Sequence, residues 1–355
     1  MTGVQIVGAE TIRRAVGFPD LIEPVAAAYA AWSRGLGEAP IMVFAPAGPA
    51  GDVHVKAAWL PDRPVYTVKV AGWFAGRAAR GLPPGSGYLA VHDAGTGDLL
   101  ALLHDEHHLT DVRTAAGGAV AARLLAPPDA RTLAVLGTGV QAYLQTLAHC
   151  AVRPVDRVLL WGRRQAAGYR LREVLLARLP HLDVNVAVRA EDAVRAADLI
   201  VTATSSREPV LCGAWLRPGQ HVTAVGADDL SKAELDPECF ARADLLAVDS
   251  RADTLRLAGD LRAAVGVGAV TAAGIHAELG ELVPGGYRRP AAPRLTVAKL
   301  VGIGVQDLAA AEVALRRLPA DSYTDTTVPD RPPPAAGTDL TTPQWYREES
   351  NDDRP

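Results

Sequence analysis

The sequence predicts an α/β fold: a doubly wound parallel sheet joined to a second region of mostly antiparallel strands. Three observations carry this. Between Thr132 and about Val248, short aliphatic runs alternate with helix-like stretches. A glycine-rich turn closes the first of these runs. Ahead of Thr132, comparable runs are separated instead by turn-forming Asp, Pro and Gly, as in a meander.

The runs TLAVLG (132–137), RVLLWG (157–162), VNVAV (184–188), DLIVTAT (198–204), HVTAVG (221–226) and DLLAVDS (244–250) are β-branched or Leu-rich and mostly bounded by Gly, Pro or charge. That is the composition of strands buried on both faces. QAYLQTLAHCAV follows the first and QAAGYRLREVLLARL the second, each with apolar residues near helical spacing. Upstream, VHVKAAWL (53–60), VYTVKVAGWF (65–74), GYLAVHD (87–93) and LLALLH (99–104) read as antiparallel strands. A helix is expected from Arg113 to Leu125, where Ala and Gly permit close packing. Residues 319–355 are rich in Pro, Asp and Thr and nearly free of aliphatic side chains. Such a segment cannot bury enough apolar surface to offset its conformational entropy, so a flexible tail is expected, docking at most through Trp345 and Tyr346.

Composition narrows the function. A length of 355 residues with 49% hydrophobic residues suits two domains with real cores. The formal charge of -4, without a basic block and with 5% aromatic residues, offers nucleic acid neither an electrostatic footprint nor a stacking platform. Cys150, Cys212 and Cys239 have no metal-binding spacing and form no disulfide framework, which fits a reducing cytoplasm. Glu10, Arg13 and Arg14 interrupt the N-terminal apolar stretch, so neither a leader nor a membrane span is expected.

The sharpest motif is LAVLGTGVQA (133–142). Gly137 permits a tight turn after a strand, Gly139 lets a pyrophosphate approach the backbone, and Ala142 lets the following helix pack closely while its N-terminal amides face the phosphates. A dinucleotide site follows. An acidic residue at the end of the next strand would bind the ribose 2′-hydroxyl of NAD, but the sequence there is LLWGRRQ. Arg163 and Arg164 instead suit a 2′-phosphate, which points to NADP, with NAD as the alternative.

A substrate site must face the nicotinamide, and Lys56, Lys69, Arg113 and Asp228 are its candidates. Lys69 shares a strand face with Thr67 and Ala71, where an exposed edge lysine is the plain alternative. Arg113 begins the apolar helix, where a core-facing cation needs an anionic partner such as a ligand carboxylate. Asp228 follows a strand's C-terminal end, where open α/β sheets place ligands. His104, His107 and His108, with Asp105 and Glu106, are adjacent residues on one turn and are not expected to converge on a metal. Ser205 has no evident His-Asp partner for nucleophilic work.

Together, DEHHLTDVRTAAGGAVAARLLAP (105–127), LAVLGTGVQA, ADLIVTATSSREPVL (197–211), HVTAVGADDLSKAELDPECFARAD (221–244) and LTVAKLVGIGVQDLAAAEVAL (295–315) resemble the ornithine cyclodeaminase/mu-crystallin family over about residues 5–318. The resemblance implies a Rossmann cofactor domain over 129–299. It also implies an α+β domain over 1–128 that binds substrate and forms a homodimer, with 300–318 returning to it. Lys69 and Arg113 resemble the family's carboxylate-binding pair, and Asp228 its proton-transfer aspartate. Thr114, Gly139, Val140, Gln141, Thr204, Ser205 and Lys232 fall on cofactor-contacting stretches, and WGRR resembles the sequence of NADPH-using members.

Three departures matter. Ornithine-cyclising members carry a glutamate near Lys56 and an arginine near Met42, and both are missing here. A lysine where a substrate ammonium would be met argues against ornithine or lysine. HVKAAWL is instead similar to the ectoine-utilisation branch and to iminosuccinate reductases, so a second substrate carboxylate on Lys56 is suggested. Leu300-Val301-Gly302 stands where relatives often have Ser or Thr before the glycine. The expected activity is an NADPH-dependent imine reductase or amino-acid dehydrogenase acting on a small imino or amino acid. A cyclodeaminase holding NAD and a non-catalytic ligand-binding protein are the alternatives.

Overall fold

A computed structural model describes residues 4–285 and 294–318, and the chain packs into two compact units. One comprises Leu36–Arg113, with the segments up to Pro24 and from Gly304 onward; the other comprises Val25–Gly35 and Thr114–Ile303. The tail expected over 319–355, with Trp345 and Tyr346, lies outside the described residues.

In the first unit, side-chain alternation builds a two-faced sheet. After β1 (Gln5–Gly8), α1 (Ala9–Ala15) and the start of α2 (Phe18–Ser33), whose residues from Val25 belong to the second unit, the meander runs through β2 (Ile41–Phe44), β3 (Gly51–Ala58), β4 (Val65–Phe74), β5 (Gly85–Asp93) and β6 (Leu99–His104). The strand order is β1-β6-β5-β4-β3-β2. All pairings are antiparallel except β1 with β6. β4 and β6 have the bounds their alternation predicted. β1 and β2 were not anticipated, because four residues each carry too short a pattern to register.

Register aligns one residue from each strand into a row across the buried face: Val7, Leu103, Leu89, Lys69, Lys56 and Ile41. Two lysines thus stand side by side in a row otherwise wholly aliphatic. Fully burying an aliphatic side chain contributes about 1.5–3 kcal/mol, so the flanking residues offset part of the cost of burying these cations.

The helix α3 (His108–Leu125) starts five residues before the expected Arg113. Asp105 Oδ2 accepts from the Leu109 amide at 2.7 Å. Glu106 and His107, at φ 50° and 78°, make the turn ahead of the helix. An acceptor for a first-turn amide fixes the start of a helix. Arg113 therefore sits inside the helix rather than at its beginning.

The second unit continues through β7 (Thr132–Leu136), α4 (Val140–Val152), β8 (Arg157–Trp161), α5 (Gln165–Arg178), β9 (Asp183–Val186), α6 (Ala190–Ala196), β10 (Leu199–Thr202) and β11 (His221–Ala224). It ends with α7 (Pro237–Ala241), β12 (Leu245–Val248), α8 (Arg251–Leu257), α9 (Gly259–Gly266), β13 (Ala277–Glu278), α10 (Leu279–Leu282) and β14 (Thr296–Lys299). All six expected strands are present. The sheet order β13-β12-β14-β11-β10-β7-β8-β9 is parallel throughout. The chain winds outward in both directions from β7 and β10, and the carboxyl ends of such neighbouring strands are where open α/β sheets bind ligands.

The last described helix, α11 (Gly304–Arg317), belongs to the first unit and packs on β3, β4 and β5. At Gly304 any Cβ would collide with the Ala57 carbonyl oxygen, so glycine lets the helix begin against β3. Among the described residues, no helix is long and apolar enough to cross a membrane.

Candidate active site

Alternation along β4 turns Lys69 onto the buried face, and α11 supplies what meets it there. Lys69 is 1% exposed and lies on an interior strand, so the edge-lysine alternative does not hold. Its Nζ donates to Thr110 Oγ1 at 3.1 Å and to Asp307 Oδ1 at 2.9 Å. The same Asp307 oxygen accepts from Arg113 Nε at 3.0 Å. Arg113 Nη1 donates to Gln306 Oε1 at 3.3 Å, and Gln306 returns a bond to the Arg113 carbonyl. The anionic partner that Arg113 required is therefore in the chain itself.

Lys56 is buried directly opposite Lys69. Its register partner on the other side is Ile41, so Met42 lies on the opposite face of the sheet and is exposed. The charges tune one another. Burial pushes the Lys69 ammonium down to about 7; Asp307 opposes that fall, while Arg113 and Lys56 add to it. Burial pushes the Asp307 carboxyl up, but Lys69, Arg113 and Lys56 outweigh it and hold the group below the ordinary carboxylate range. Nearby Asp105 is pushed up to about 6 by burial, against the Leu109 amide, His107 and Lys69. Lys56, Arg113 and, below about pH 7, the Lys69 ammonium around one ionised carboxylate leave an excess of positive charge suited to an organic anion.

The second unit carries the remaining candidates. Asp228 is half-buried beyond the end of β11 and accepts from Lys232 Nζ at 2.7 Å. Lys232 also meets Asp229 at 2.9 Å. Burial works against its ammonium, but the two aspartates outweigh that and hold it charged above its ordinary value. Thr204, just past β10, donates to Glu234 Oε1 through its amide at 2.6 Å and its hydroxyl at 2.9 Å. Glu234 Oε2 accepts from the Thr202 hydroxyl at 2.8 Å and the Gly226 amide at 2.7 Å. One fully buried carboxylate thus ties the ends of β10 and β11 together beside Asp228. Ser205 is exposed.

The features expected for a dinucleotide fit this unit. Gly137 has φ +138°, and a Cβ there would strike the Ala203 carbonyl oxygen just past β10, so only glycine allows the turn from β7 into α4. Gly139 is the N-cap of α4, and Val140 and Gln141 open the helix, so the motif sits at a helix N-terminus, the kind of place where a phosphate is met. Arg163 and Arg164 are exposed directly after β8. Thr114 accepts through its carbonyl from Gln145 Nε2 at 3.0 Å. At the departure from the family pattern, the Val301 and Gly302 amides donate to Asp249 Oδ2. Among the described residues no cluster of His, Cys, Asp and Glu is arranged to hold a metal. His107 meets Asp111, and His108 meets the Val16 carbonyl.

Asp307, Gln306 and Glu234 escaped the reading of the sequence. Each stood inside a quoted motif, and the available signal was a charged or polar residue set among apolar neighbours, as in GVQDLAAAEVAL.

Comparisons with known proteins place the chain in a family. The model of the ornithine cyclodeaminase/mu-crystallin family matches residues 5–320. An uncharacterized cyclodeaminase of Sinorhizobium fredii is 40% identical over 75% of this chain and 80% of its own length. A Δ1-pyrroline-2-carboxylate reductase of Paracoccus denitrificans is 37% identical over 76% of this chain and 84% of its own. Among solved structures, a Δ1-pyrroline-2-carboxylate reductase of Thermococcus litoralis, in complex with NADH and L-proline, aligns with TM-score 0.83 and 28% identity over 88% of this chain and 97% of its own. A family match spanning nearly all the described residues, beside relatives this similar, makes the chain a member of the ornithine cyclodeaminase/mu-crystallin family.

Proposed function

We propose that this nicotinamide-dependent oxidoreductase reduces the C=N bond of a small α-imino acid with NADPH, anchoring the substrate's α-carboxylate on Lys69 and Arg113. The observation that carries the reading is the buried cluster of Lys56, Lys69 and Arg113 around Asp307. Charge-assisted bonds from an ammonium and a guanidinium fix a carboxylate in position and orientation, and positioning is a large part of what a protein contributes to hydride transfer. A bound nicotinamide supplies the hydride, which goes to the substrate Cα; a proton goes to nitrogen, and the imine becomes an amine. Asp228 is the group for that proton, or for stabilising the iminium, and Lys232 at 2.7 Å orients its carboxylate.

Arg163 and Arg164 support NADPH over NADH, since two exposed guanidinium groups follow β8 where a carboxylate would serve NAD. Lys56 supports a second carboxylate on the substrate, as in an aspartate-like imino acid, and weighs against the ω-ammonium of ornithine or lysine that a cyclodeaminase must accept. A homodimer is part of the same proposal. The sheet face opposite α11 leaves Met42, Phe44 and Tyr88 exposed, with Val53, Val55 and Val70 half-exposed. A second copy is the occupant that would cover this apolar face, and light scattering on the purified chain checks it.

The activity test follows NADPH consumption with oxaloacetate or pyruvate plus ammonia or methylamine, and with a cyclic imine such as Δ1-pyrroline-2-carboxylate, repeated with NADH. Turnover with these α-imino acids, strongest for the dicarboxylic one, is the expected result. Ammonia release from ornithine without added NADPH would favour the cyclodeaminase. Stoichiometric binding of cofactor and ligand without turnover would favour a binding protein.

A further inference from the structure

We propose that Asp307 is a positioning residue of the substrate site: its Oδ1 atom bridges the Lys69 ammonium and the Arg113 guanidinium, and so aims both cations at a single substrate carboxylate. The inference rests on the reading of Lys69 and Arg113 as the carboxylate anchor. Of the three Lys69 protons, one points at Thr110 Oγ1 and one at Asp307 Oδ1, which leaves one for a ligand. Asp307 takes Arg113 by Nε and Gln306 takes Nη1, so neither of these two bonds uses Nη2. Asp307 is 1% exposed, and its second oxygen is buried without a hydrogen-bond partner. A buried carboxylate with one oxygen doubly used and the other unused is costly as a purely structural group. Residues at site-forming positions do carry such costs.

The bridge also governs charge. Lys69 is faced by Lys56 from β3, by Arg113 and the neutral Thr110 from α3, by Asp105 ahead of α3 and by Asp307 from α11. Arg113, Lys56 and burial all favour the neutral amine, and Asp307 is the main group opposing them. Removing the Asp307 charge therefore moves the loss of the Lys69 ammonium to lower pH, and carboxylate binding that needs the ammonium is lost with it.

The test is calorimetric titration of the full chain, saturated with NADP, with pyrrole-2-carboxylate, a planar carboxylate that hydride does not reduce, between about pH 6 and pH 9. Wild-type affinity is expected to fall as the pH rises through the Lys69 range. In Asp307→Asn the fall should begin about one pH unit or more lower, the size of shift an adjacent opposite charge produces. Asp307→Glu restores the charge but moves the oxygen, so it should keep the wild-type pH limit and bind more weakly. A pH profile of Asp307→Asn that superimposes on wild type, or a loss equal at every pH, overturns the proposal. If Asp307→Asn does not fold, Asp307→Glu decides: wild-type affinity in that variant overturns the positioning role. Failure of the wild type to bind the probe at any pH overturns the anchor reading and this inference together, an outcome distinct from the others.

Discussion

Lys56 and Lys69 stand directly opposite each other on β3 and β4, both on the buried face of the sheet. Like charges directly opposite each other on paired strands destabilise a sheet, so this buried pair costs stability that a role in binding would offset. Lys56→Met should raise thermal stability slightly and lower kcat/KM for a dicarboxylic imine at least about tenfold more than for a monocarboxylic one, the loss of one charged partner. Equal losses on both substrates would remove Lys56 from recognition of the second carboxylate.

Asp228 and Lys232 form the ion pair beyond β11. Asp228→Asn keeps the shape of the side chain and removes its capacity to carry a proton. Turnover should drop by about 10²–10⁴-fold, the usual contribution of a positioned acid-base group, while NADPH affinity measured by fluorescence changes little. Turnover retained near wild type would take Asp228 out of the mechanism.

Arg163 and Arg164 are exposed after β8. The double change Arg163→Ala with Arg164→Ala should raise KM for NADPH by about 10-fold or more and leave KM for NADH nearly unchanged, since each charge-assisted bond contributes about 1.5–3 kcal/mol when well formed. A parallel rise for both cofactors would mean that the arginines do not read the 2′-phosphate.

Asp105 gives a stability prediction with a defined sign. Burial raises its folded-state pKa to about 6, above the ordinary 3.8, so the folded protein holds this proton more tightly than the unfolded chain does. The group's favourable contribution is complete below pH 3.8 and is lost as the pH rises through about 6. Asp105→Asn keeps an oxygen for the Leu109 amide without the buried charge. Its melting temperature should exceed that of wild type near pH 8 by several degrees and converge with it near pH 4. A difference independent of pH would contradict this.

Much of the fold was written in local patterns. Alternation over Val65–Phe74 put Lys69 on one face with Thr67 and Ala71, a face that tertiary packing then buried, and the glycines at 137 and 139 marked the turn into α4. The start of α3 was not legible from its alanines, because the signal was the side chain of Asp105, four residues before the amide it accepts. β14 was also missed as a strand: only four residues long and later in the chain than β13, it inserts between β11 and β12.

By itself, then, the sequence determined the alternating strands, the dinucleotide turn, the arginine pair after β8 and the cations that a carboxylate substrate would need. Each depends on residues within a few positions of one another, where backbone geometry fixes which side chains share a face. The tertiary structure alone decided that Asp307, 238 residues from Lys69, is the carboxylate between Lys69 and Arg113, and that Glu234 joins the ends of β10 and β11. Those pairings arise only when α11 lands on the first sheet and when neighbouring parallel strands bring their ends together. Packing over such separations is set by the whole buried surface rather than by any local run of residues.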